Sequence, residues 1–135
     1  MRNAKWIIAA LLLTIICGCT PKQLRQEFIG YSAGDVRGAK QKQVLNFDKN
    51  AQECYDGIIA ELNKLGAIVR ENRRAKYILA DNFQDVFKSC IDTTQLGILV
   101  IPAGDNACRV EVASGNIPLS EFVAGKISAS FEPVK

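Results

Sequence analysis

The chain opens on a short basic stretch, Met1 to Lys5, followed by the uncharged apolar run Trp6 to Cys17, broken only by Thr14. A helix needs about 20 apolar residues to cross the hydrocarbon of a bilayer. Twelve are too few for that, and the run has the form of a secretory signal segment, removed on export. From Thr20 to about Gln43 the sequence is rich in Lys, Arg, Gln and Gly and has too few apolar positions to build a core, so it reads as a tether. Leu24, Phe28, Ile29 and Tyr31 offer the alternative of a short docked helix, although Gly30, Gly34 and Gly38 soon interrupt it.

Folded patterning begins at Val44 to Phe47, a short strand. Asn50 then caps a helix running to about Leu65, with Glu53 placed to answer it. Ala51, Cys54, Tyr55, Ile58, Ile59, Leu62 and Leu65 recur every three or four positions, and Gly66 ends the helix. Ala67 to Glu71 and Arg74 to Phe83 suggest a hairpin turning at Asn72-Arg73-Arg74. Gln95 to Pro102 is apolar throughout, as a strand buried on both faces would be. Ala107 to Ser114 alternates, with Cys108, Val110 and Val112 inward and Arg109, Glu111 and Ala113 outward. Pro118 to Phe131 is a closing helix. The expected fold class is α+β: an antiparallel sheet of about four strands with two helices on one face, in the order β-α-β-β-β-β-α. The expected divisions are 1–18 signal, 19–43 tether and 44–135 domain.

The apolar run ends at Ile16-Cys17-Gly18-Cys19. This resembles the lipobox of bacterial lipoprotein precursors: aliphatic, small, Gly or Ala, then Cys. The resemblance implies a thioether-linked diacylglycerol on Cys19, cleavage after Gly18, and anchoring in the cell envelope. Asp commonly follows the cysteine in such proteins retained at the inner membrane. Thr20 stands there instead, which points to the outer membrane, facing the periplasm. The element order of the domain is similar to helix-grip domains found in small envelope lipoproteins of no known activity.

Composition narrows the functions further. The 135 residues are 48% hydrophobic and 23% charged, as in an ordinary folded domain. Of 17 basic residues, Arg2 and Lys5 lie in the signal segment, leaving fifteen against 14 acidic, so no nucleic-acid partner is implied. Histidine is absent, which removes Ser-His-Asp and Cys-His catalysis and imidazole metal sites. Asp81, Asp85 and Asp92 follow no calcium-loop order. No cofactor, metal or catalytic set is expected, and the domain reads as a non-enzymatic module that binds an envelope protein. The second reading is a small apolar or lipid ligand held in a pocket lined by Leu99, Ile101, Val110 and Phe122.

After loss of Cys17 and lipidation of Cys19, Cys54, Cys90 and Cys108 remain, and three different single bridges are open. Cys54 to Cys90 is the expected pair, because Cys90 lies in the irregular stretch Asp85 to Thr94. Cys108 is then a small buried hydrophobe. The mature chain has no Cys-X-X-Cys pair for redox catalysis. Arg70, Arg73, Arg74 and Lys76 form a basic cluster on the hairpin, either a solvated turn or a contact with anionic headgroups.

Overall fold

The computed structural model describes residues 31–83 and 95–131, all within a compact unit spanning Tyr31–Lys135. Its elements are α1 (Ala33–Gly38), β1 (Gln43–Phe47), α2 (Ala51–Lys64), β2 (Ile68–Asn72), β3 (Tyr77–Asp81), β4 (Leu96–Pro102), β5 (Cys108–Ser114) and α3 (Ile117–Phe131). The five strands form one antiparallel sheet in the order β1-β5-β4-β3-β2. The class is α+β, as expected, but with five strands and with a third helix where a tether was anticipated. The signal segment, Cys17, Cys19, Leu24, Phe28, Ile29 and Cys90 lie outside the described residues.

Helix α2 starts where its cap dictates. The Asn50 side-chain oxygen accepts hydrogen bonds from the backbone N–H groups of Gln52 and Glu53, at 3.0 and 2.9 Å, satisfying two of the orphan donors of the first turn. Gly66 ends the helix with φ +74°, and the Ala67 N–H reaches back to the Leu62 carbonyl at 3.1 Å. Helix α3 begins in the same manner, with Asn116 Oδ1 accepting from the Leu119 N–H at 3.2 Å.

Cys54, Tyr55, Ile58 and Leu62 of α2 and Leu119, Val123 and Ile127 of α3 pack on one sheet face. They meet Ile78, Ala80, Leu96, Ile98, Val100, Val110 and Val112. At the end of this layer the Phe131 ring lies 4.7 Å from that of Phe47 and fills the space beside Gly57. A Cβ at Gly57 would stand 2.6 Å from Phe131 Cζ, so the glycine, unfavourable in mid-helix, allows α3 to close on α2.

The hairpin turn is longer than the sequence suggested. Residues 73–76 form the turn and β3 begins at Tyr77 rather than Arg74. Asn72 Oδ1 accepts from the Ala75 N–H at 3.0 Å, and Lys76 adopts φ 50°, the left-handed bend that glycine would otherwise supply.

The opposite sheet face is also covered. Val36 of α1 is fully buried against Leu99 and Ala113, with Tyr31, Ala33, Ala39, Tyr77 and Ile101 around it. The folded unit therefore starts ahead of the expected boundary at Val44. Two features of the stretch read as tether explain this. Ser32 and Asp35 form a reciprocal capping box that starts α1, and Val36 presents an apolar side chain to the sheet.

Gly97 makes room for the covering segment. A Cβ there would lie 2.6 Å from Val36 Cγ2, 3.1 Å from Tyr31 Cβ and 3.2 Å from the Tyr77 hydroxyl. Gly97→Ala is expected to displace α1 and lower stability by about 1 to 3 kcal/mol, as overpacking of a close contact does. Urea unfolding measures the loss, and a variant as stable as the parent would show that α1 is not seated there.

Candidate functional site

The segment from Tyr31 to Lys42 crosses the outer sheet face and is held at both ends by polar contacts. At its start, the Tyr77 hydroxyl donates a hydrogen bond to the Tyr31 carbonyl. At its end, Lys42 Nζ donates to the Arg37 carbonyl at 2.8 Å, closing the last turn of α1, and to Glu111 Oε2 at 2.9 Å. Arg109 Nη2 approaches the other Glu111 oxygen at 2.7 Å. Glu111 points outward from β5, as its alternation requires, but it is only 3% exposed because the covering segment and its lysine lie over it. A buried carboxylate is tolerated when charged donors satisfy both oxygens, and removing one donor from such a group is strongly destabilising.

The tyrosines report on the same burial. The Tyr77 phenol is raised far above its ordinary range, first by burial and then by the negative charge of Asp35 and the neighbouring Tyr31. Tyr31 is raised by burial and by Asp35. Tyr55 is raised by burial, with Glu71 adding to the shift and Arg73 opposing it.

Cys54 forms a disulfide with Cys108, correcting the expected pairing with Cys90. The first turn of α2 sits over the start of β5, and both side chains are buried in the layer between helix and sheet. Inward alternation had placed Cys108 on this face, and the helical stripe had placed Cys54 there. Their packing supplied the proximity that sequence spacing alone did not indicate.

The hairpin cations prove to be engaged within the fold. Arg70 pairs with Asp81 at 2.9 Å. Arg73 pairs with Glu71 at 2.9 Å and Asp56 at 3.5 Å, and stands 5.9 Å above the Tyr55 ring. Lys76 donates to the Gln52 side chain and lies 5.2 Å above the same ring. Arg74 is exposed, with no ion pair among the described residues. Arg73 and Lys76 thus fasten the hairpin to the start of α2. The proposed pocket residues are also separated: Leu99 and Ile101 belong to the face under α1, and Val110 and Phe122 to the face under α2 and α3.

Lys42, Glu111 and Tyr77 are not among the sequence-derived candidates, and Tyr31 enters there only as part of an alternative docked helix. Three signals pointed to them: the Ser32-x-x-Asp35 capping pattern, the glycine inside an otherwise apolar β4, and an outward-facing Ala113 with no reason to meet water.

No protein-family model matches the chain, and no curated protein matches it. Among solved structures, a likeness exists to the di-domain ARO/CYC BexL from the BE-7585A biosynthetic pathway. The two are 11% identical, with a TM-score of 0.39, over 66% of this chain and 40% of that one. The chain spans well under half of that protein, and a likeness at this level carries no conclusion about activity.

Two outcomes follow from the geometry. The disulfide joins residues 54 apart in sequence, a loop for which chain entropy gives about 4 kcal/mol. Reductant, or Cys108→Ser, is expected to lower the Tm by about 15 °C or more in thermal unfolding, whereas an unchanged Tm would count against the pairing. The tyrosines have an unfolded value of 10.0 and raised folded values, so they contribute stability below pH 10 that is lost as the pH rises towards the folded values. Tyrosinate absorbance is therefore expected to be delayed beyond pH 10 and to appear together with alkaline unfolding. Independent titration of the phenols near 10 in the folded protein would contradict their burial.

Proposed function

We propose that the chain is an envelope lipoprotein, lipidated on Cys19 and held at the outer membrane, whose α+β domain acts in the periplasm by binding a protein of the envelope rather than by chemistry of its own. The observation that carries this reading is the Cys54–Cys108 disulfide. Such bonds persist in oxidising compartments and are rare where thiols are kept reduced. The bridge and the export signal with its lipobox therefore suggest the same side of the membrane from different parts of the sequence. The absence of histidine, which rules out the commonest hydrolytic and metal-dependent mechanisms, favours a binding role.

A single acyl chain anchors only marginally, while two or three make attachment effectively stable, at about 0.8 kcal/mol per buried methylene. Cys19→Ser is accordingly expected to move the protein from the membrane to the soluble fraction of its own host, or to leave it as an uncut precursor. Intact-mass measurement of the wild type is expected to show a chain that begins at Cys19 and carries acyl groups. Unmodified sulfur at Cys19, together with fractionation unaffected by the substitution, would overturn the reading.

A further inference from the structure

We propose that the sheet face covered by α1 is the face this domain turns towards an anionic lipid surface, with Arg37 and Lys40 as its headgroup contacts. The inference rests on the lipid anchor at Cys19 and adds an orientation to it.

The path of the chain supports this orientation. The polypeptide enters the described unit at Tyr31, whose Cβ lies close to Gly97 and whose carbonyl accepts from Tyr77, both on the outer face. Twelve Cα-to-Cα steps lead from Cys19 to Tyr31. At no more than ~3.6 Å each they reach about 40 Å at full stretch, and any other conformation is shorter. A domain of this size has a radius of gyration of about 13 Å, so the anchored protein stays within touching distance of the membrane, with its point of attachment on the outer face.

Charge supplies the second support. The segment Tyr31 to Lys42 carries Arg37, Lys40 and Lys42 against Asp35 alone. Lys42 is committed to Glu111, whereas Arg37 and Lys40 are exposed and enter none of the ion pairs among the described residues. On the sheet beneath, the one carboxylate of Glu111 is shared by Lys42 and Arg109, which leaves a net positive charge there, while Arg70 and Asp81 offset one another. The opposite layer is close to neutral: Glu53, Asp56, Glu61 and Glu121 of α2 and α3 are matched by Lys64 and Lys126 and by Arg73 and Lys76, which lie against α2. An anionic surface therefore attracts the α1 face more strongly than the helical one. The hairpin cluster is less suited to this contact, because Arg70, Arg73 and Lys76 already have partners within the fold.

The test uses the full mature lipoprotein, with acylation first established by intact mass, inserted into vesicles of phosphatidylcholine alone or with phosphatidylglycerol. A water-soluble amine reagent then reads the relative reactivity of Lys40, Lys64 and Lys126 by mass spectrometry. On anionic vesicles Lys40 is expected to react about tenfold more slowly than on neutral ones, with Lys64 and Lys126 unchanged. High salt restores its reactivity. Arg37→Gln, at an exposed position, is expected to reduce the protection about fivefold, the effect of one cation near a charged surface. Equal protection of all three lysines, protection of the helical lysines instead, or protection that ignores lipid charge would each overturn the orientation while leaving the anchor intact. A chain without acyl groups would overturn the anchor, and the orientation with it.

Discussion

Burial of β4 on both faces is the constraint that organises this domain. Leu96, Ile98 and Val100 point into the layer beneath α2 and α3, while Leu99 is almost as fully enclosed on the other side. A central strand of this kind cannot fold beneath a single helical layer, because half of its apolar side chains would face water. The second cover comes from residues 31–42, which are short and largely polar and bury little beyond Val36. One valine suffices because Gly97 and Ala113 leave a shallow depression for it and Tyr31 and Tyr77 close the rim. The N-terminal segment is thus part of the fold, and its two faces have different work: one valine towards the sheet, cations towards solvent.

The polar anchoring of this segment follows from its small hydrophobic contact. Lys42 bridges the end of α1 and Glu111, so a single ammonium both satisfies a helix-terminal carbonyl and neutralises a buried carboxylate. Tyr77 does the equivalent at the other end by donating to a backbone carbonyl. Such contacts are individually worth little more than the water they replace, but they are costly to leave half-made once desolvated. They fix the position of a segment that hydrophobic burial alone would hold loosely.

Much of the layer between sheet and helices was legible in the sequence, since α2 and β5 announce their inner faces by period and the apolar run of β4 announces two-sided burial. The ends of elements were less so. The end of the hairpin turn is hard to read because its left-handed residue is Lys76 rather than glycine, and the Asn72 side-chain bond to the Ala75 N–H that supports it leaves only a weak trace in composition. The bridging partner of Cys54 is not legible in the sequence because helix and strand periodicity give the face of a residue and not its height along the layer. Cys54 and Cys108 share a face, and only the crossing of α2 over β5 brings them level. The role of residues 31–42 was hidden for a different reason. A segment with one buried side chain has no hydrophobic period to detect, and its signals lie partly in the strand it covers, at Gly97 and Ala113. The same gap explains why Glu111 reads from β5 alone as a solvated outward residue.

The Cys54–Cys108 bond also divides the domain mechanically. A pull applied at the amino end of the described unit enters through Tyr31 and passes first into α1 and β1. Those elements, and β5 and α3 beyond the bridge, can be peeled away and lengthened. The chain between the two sulfurs, which includes β2, β3, β4 and most of α2, cannot add to the contour between the ends until the bond is reduced. Under tension the molecule is therefore a short extensible lead attached to a closed covalent loop.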